Sequence, residues 1–337
     1  MKGNDEMSET PQFSEAKRVL LERYLRGDPP QAAMTASAIP QGAKAEMTGR
    51  RERVIAIQTG GSKRPFFYLH GEWRGNTFYC YPLAHALGAD QPFYVLEPYT
   101  FEGLRVPPTL ETIAAAHLEL LRSIQPEGPY LLGGWCNGAL VVYEMARQLH
   151  AQGQAVDLLV LMDSMVPGRL RLVRSVIGRL CGLLRLGQEK QFDWFLLVQH
   201  VYRYLLFPHY RQRNDSEHTE ITEEGEPRRR RGKGGFRLLR LDALITAAET
   251  LRQEYTNVFD WVTSGYAPSL YPGKITFFWA SEESWRSVGW RKVVETKEVE
   301  IHIIPGNDIT SRTEYLHALA DQLRECLRKA QEPALNN

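Results

Sequence analysis

The sequence predicts an α/β fold: a mainly parallel twisted sheet of about seven strands, with helices on both faces and a helical lid inserted late in the chain. Three observations predict it. From Val54 onward, short apolar runs of strand length (VIAIQ, PFFYLH, PFYVLE, PYLLGG, DLLVLM, KITFFWA and VEIHII) alternate with helical patterns. Strands that alternate with helices connect as crossover units of a parallel sheet covered on both sides. The chain of 337 residues, 43% hydrophobic, is also large enough to bury one sizeable core.

The first 50 residues hold one amphipathic segment, Phe13 to Arg26 (FSEAKRVLLERYLR), with Ser14 as its cap, followed by a Pro/Ala/Gly-rich tract without periodicity. Residues 1–50 are therefore expected to be a helix and a flexible linker, and residues 51–330 the folded domain. Residues 77–88, 108–124, 137–151 and 312–328 supply the covering helices. In the third of these Leu140, Val141, Tyr143, Met145, Ala146 and Leu149 occupy the positions that face a sheet.

Between Asp163 and Lys274 the alternation gives way to helical text, and an insertion at the carboxyl end of a strand, about residues 166–265, reads as a lid over a ligand site. Its aromatics Trp194, Phe195, Tyr202 and Tyr204 read as core packing, with an apolar channel as the alternative. The acidic run Asp215 to Glu226 and the basic run Arg228 to Lys233 read as a solvated loop.

Charge and cysteine usage exclude several classes. A net charge of +1 gives no electrostatic reason to expect nucleic acid or an anionic membrane as partner. No stretch approaches the roughly 18 apolar residues of a membrane span, and the N-terminus lacks the apolar run of a signal peptide, so a cytoplasmic protein is expected. Cys80, Cys136, Cys181 and Cys326 show no paired spacing, which supports neither a disulfide framework nor a zinc motif. With no metal constellation or dinucleotide fingerprint, no cofactor is expected.

The chemistry concentrates in GGWCNGAL. The strand before Gly133 runs through Trp135, Cys136 and Asn137 directly into a helix, the context of a strained strand-to-helix turn that presents a nucleophile. Gly134 and Gly138 fit where strand and helix approach too closely for side chains. A free thiol has a pKa of about 8.5, and a helix N-terminus lowers it, so Cys136 can attack an activated acyl group with little help from a base. The developing oxyanion falls to the backbone N–H of Asn137 and to one from HGEWRGN, at Glu72 or Trp73.

GGWCNGALVVYEMARQL resembles the nucleophile helix of the type I thioesterase domains that end nonribosomal peptide and polyketide synthetases, members of the α/β-hydrolase superfamily. The resemblance runs from Pro65 to Leu327 through PFFYLHG, LVLMDSMVP and IPGNDITSRTEYLHALADQL, and FSEAKRVLLERYLRG is similar to a synthetase linker helix. It implies an acyl or peptidyl thioester substrate, presented on the phosphopantetheine arm of a carrier protein. It also implies a triad of Cys136, Asp163 and a histidine in the last loop, with Glu282 as a weaker candidate acid.

That histidine is missing: Asp308 stands at its position. His302 lies in the preceding strand and His317 on the following helix. A carboxylate is a poor proton acceptor for a thiol, so hydrolysis of an acyl-cysteine should suffer more than its formation. His70, beside the oxyanion loop, is the alternative base. Three readings stand: an acyl hydrolase or transferase working through a Cys136 acyl-enzyme, a degenerate carrier-protein or ligand-binding module, and a general α/β-hydrolase esterase.

Overall fold

The computed structural model describes residues 54–71, 79–164, 168, 170–206, 248–282, 290 and 298–332. The segment Phe13 to Arg26, the charged runs after Asp215, and Glu72 and Trp73 lie outside the described residues. Seven strands form one sheet: β1 (Val54–Gln58), β2 (Phe66–Leu69), β3 (Phe93–Leu96), β4 (Tyr130–Trp135), β5 (Val156–Met162), β6 (Ile275–Ala280) and β7 (Val299–Ile304). Their order is β1-β3-β2-β4-β5-β6-β7, with β1 antiparallel to β3 and every other pair parallel. Each of the seven apolar runs in the sequence became a strand.

The central strands are buried on both faces, as a covered parallel sheet requires. Alternate residues of β2 enter separate cores. Phe67 and Leu69 join the cluster under α2 (Leu110–Ile124) and α3 (Asn137–Ala151). Phe66 and Tyr68 join the cluster under α1 (Cys80–Leu87) and α8 (Leu316–Gln331). The residues of α3 chosen from periodicity are all buried. So are Gly138, Ala139, Val142 and Glu144, because this helix is covered on its outer side as well.

That cover is the insertion. Its described helices are α4 (Arg171–Leu183), α5 (Gln188–Leu206), α6 (Ala248–Gln253) and α7 (Tyr255–Gly265), and Ile177, Phe192, Phe195, Val258 and Trp261 carry them into the core of α2 and α3. The buried carboxylate of Glu144 fastens the two layers. It accepts from Arg147 at 2.7 and 2.8 Å, Gln148 at 2.9 Å and the Tyr266 hydroxyl at 2.8 Å. A buried charge with this many partners is tolerated because hydrogen bonds replace its water.

Of the insertion aromatics, Phe195 and Tyr204 are buried, whereas Trp194 and Tyr202 are exposed. The last helix starts later than periodicity suggests. Asn307 Oδ1 accepts from the N–H groups of Ile309 and Thr310, both at 3.0 Å, and holds a single 3-10 turn (Thr310–Arg312) before α8 begins at Leu316.

Candidate active site

At the carboxyl end of β4 the backbone turns at Cys136, with φ 49° and ψ −113°, and α3 begins at the next residue. Positive φ at a non-glycine residue costs about 1–3 kcal/mol and persists only where its surroundings enforce it. Here the Cys136 N–H donates to the Met162 carbonyl at 2.8 Å. A Cβ on Gly134 would lie 2.8 Å from the Ala139 backbone, and one on Gly138 only 2.2 Å from the Leu69 carbonyl oxygen. Strand and helix can approach this closely only because both positions are glycine. The turn leaves Cys136 half-buried, while Cys80, Cys181 and Cys326 are buried. Burial pushes the Cys326 thiol up to about 11, so it is no competitor as a nucleophile.

Gly71 passes directly over this turn, since a Cβ there would meet the Cys136 Cβ at 3.0 Å and the Asn137 nitrogen at 3.1 Å. Gly71 thus sits close against the Asn137 nitrogen. His70, just before it, is 1% exposed, and neither ring nitrogen has a hydrogen-bond partner among the described residues. Loss of hydration and then the charge of Arg312 hold its pKa down to about 4, so the ring is neutral near pH 7.

Asp163 follows Met162, which pairs with Trp135, so the carboxylate and the thiol leave the ends of neighbouring strands. Asp163 is buried at φ 42°, donates its N–H to the Phe278 carbonyl at 2.9 Å, and accepts the Ala280 N–H on Oδ1 at 2.8 Å. Glu282, the weaker candidate, is exposed.

Asp308 is placed differently from a proton acceptor. It is half-buried in the loop after β7, and its carboxylate makes no hydrogen bond to Cys136, Asp163 or His70 among the described residues. Its main-chain carbonyl instead accepts from Arg312 Nε at 2.7 Å. The Arg312 guanidinium lies over the rings of Tyr79 and Trp135, at 4.9 and 5.1 Å from their centroids. The loop that lacks a histidine therefore brings a cation onto the residue preceding Cys136. His302 and His317 stay away from this loop, one inside β7 and the other exposed on α8.

A cavity of about 800 Å³ is lined among others by His70, Tyr99, Phe101, Arg105 and Tyr255, and Cys136 is not among its lining residues. Tyr255 lies within electrostatic reach of Cys136: burial first, and then that neighbour, raise its hydroxyl well above the phenol range. The four insertion aromatics named from the sequence do not line this cavity. Arg312, Tyr255 and the Tyr99–Phe101 wall could not be grouped from the sequence because they come from separate elements far apart along the chain.

Residues 74–174 match the thioesterase domain family. The match covers less than a third of the chain. The matched stretch contains Cys136 and Asp163 and ends before Tyr255, Asp308 and Arg312. The dimodular nonribosomal peptide synthase of Bacillus subtilis strain 168 is 38% identical over 113 residues, 33% of this chain and 5% of that protein. Polyketide synthase PksR of the same organism is 38% identical over 112 residues, again 33% of this chain and 4% of the relative. The chain thus spans only a small part of the length of these relatives. A solved four-domain nonribosomal peptide synthetase, bound to AMP and glycine, superposes with a TM-score of 0.51 at 20% identity, covering 81% of this chain and 20% of that one. The chain accordingly has an α/β-hydrolase fold, and among the described residues no helix is long and apolar enough to cross a membrane.

Proposed function

We propose that this chain accepts an acyl or peptidyl group from the phosphopantetheine arm of a carrier protein onto Cys136 and passes it on slowly. The observation that carries this reading is the thiol itself: half-buried, strained at φ 49° and at the first turn of α3, with His70 lining a cavity of about 800 Å³. A helix N-terminus favours a thiolate, and so does a guanidinium stacked on the adjoining Trp135.

In the acylation step the Cys136 thiolate attacks the thioester carbonyl. The Asn137 N–H stabilises the oxyanion, and the pantetheine thiolate leaves and takes a proton from solvent. One carbon–sulfur bond forms as an equivalent one breaks, so the exchange is close to isoenergetic and needs little base. Release to water is different, because water must lose a proton to attack. Asp308 turns its carbonyl to Arg312, and His70, with a pKa of about 4, is a weak acceptor near pH 7. Asp163 anchors the end of β6 by accepting the Ala280 N–H. No cofactor is required for these steps beyond the arm that carries the substrate.

The test is a time course of pantetheine thiol release from an acylated carrier protein. A fast burst of one equivalent followed by slow turnover supports the proposal. Steady release without a burst favours an ordinary esterase, and carrier binding without any release favours a module that only binds.

A further inference from the structure

On the far side of the sheet edge, Glu300 and His302 of β7 point along one face toward Cys326 of α8. The His302 Nε2 lies 3.0 Å from Glu300 Oε1 and 3.5 Å from Cys326 Sγ, and all three ligand atoms fall within 4.8 Å of one another. A ring nitrogen has one in-plane direction, either a hydrogen or a lone pair, and cannot serve both neighbours well. An ion at the centre could be bound by all three.

Two of the three spacings lie near those of a bound tetrahedral ion. With metal–sulfur bonds of about 2.3 Å and metal–nitrogen bonds of about 2.0–2.1 Å, a tetrahedral ion sets sulfur and nitrogen about 3.5 Å apart and nitrogen and oxygen about 3.3 Å apart. The surroundings also fix the ligands, as outer partners do in metal sites. The Phe278 ring stacks on His302 at 4.7 Å and 16°, which sets the imidazole plane. Lys274 Nζ holds Glu300 Oε2 at 2.6 Å, which turns Oε1 toward the histidine. Cys326 is buried, whereas Glu300 and His302 are part-exposed, so the cluster has a dry side and an entry side.

We propose that Glu300, His302 and Cys326 form a binding site for a divalent zinc-type ion, with water as the fourth ligand. A borderline ion suits mixed sulfur, nitrogen and oxygen donors. The ion would brace β7 against α8. Between these elements runs the loop of Asp308 and Arg312, so the site would stiffen the crossover that reaches the catalytic turn. The sequence hid it because Cys326 lies 24 residues from His302 and only the crossover brings them together.

The experiment is cobalt(II) titration of the metal-free, reduced full chain, followed by zinc competition. One equivalent of cobalt should produce a thiolate-to-metal charge-transfer band that one equivalent of zinc removes. Cys326→Ser should abolish the band, His302→Gln should weaken binding about tenfold or more, and Cys136→Ser should leave it intact. Thermal melting of each variant without metal separates loss of ligand from loss of fold. No stoichiometric band, or a band lost with Cys136→Ser and kept with Cys326→Ser, overturns the proposal and leaves acylation of Cys136 untouched.

Discussion

Arg312 donates from Nε to the main-chain carbonyl of Asp308 at 2.7 Å. The hydrogen bond fixes the guanidinium over Trp135, one residue before the thiol, so the loop contributes positive charge where an imidazole was expected. Removing that charge should raise the Cys136 pKa, because a nearby cation favours the thiolate. With Arg312→Gln, iodoacetamide alkylation of Cys136 near pH 7 should slow by roughly three- to tenfold. The pH midpoint of the rate profile should move upward. An unchanged midpoint would remove Arg312 from the thiol's electrostatics.

Asp308→His restores a titratable base to the loop. Because acylation needs little base and hydrolysis needs one, the substitution should act on the second step. The single-turnover rate of acyl-Cys136 breakdown should rise by about tenfold or more while the acylation rate changes little. Equal effects on both steps would show that proton transfer does not limit release.

His70 makes stability depend on pH. Its folded pKa of about 4 lies below the unfolded value of about 6.5. Between those values the unfolded chain binds a proton that the folded one refuses, so stability falls as pH drops through this window. From about pH 7 to about pH 5 the loss attributable to His70 is about 2 kcal/mol. Urea unfolding at both pH values should show that share of the slope vanish in His70→Gln.

Gly138→Ala tests the close approach of strand and helix. The added carbon would sit 2.2 Å from the Leu69 carbonyl oxygen, which is backbone and cannot swing aside. Overpacking of this kind costs about 1–3 kcal/mol. Denaturant midpoints should fall accordingly, and the displaced β2 loop should slow acylation even in molecules that remain folded.

The sheet was legible because burial of both faces of the central strands leaves apolar runs there, and each run from VIAIQ to VEIHII became a strand. The turn at Cys136 was legible because its two glycines answer to a local crowding that sequence spacing records. Helix edges were less so: Asn307 holds a 3-10 turn that delays α8, and side-chain capping of this kind leaves no periodic trace. The insertion was visible as helical text, yet which aromatics face the cavity was not. Tyr255 reaches it while Trp194 points outward, a choice made by packing between α5 and α7. Arg312 and His70 meet only in three dimensions, so their mutual effect could not be read along the chain.

The most direct measurement is intact-mass spectrometry, with peptide mapping, of the full chain incubated with an acyl-pantetheine thioester. The site described above predicts a single acyl adduct on Cys136 that persists for many minutes and is absent from Cys136→Ala. A chain that stays unmodified, or carries the acyl group on another residue, would contradict it.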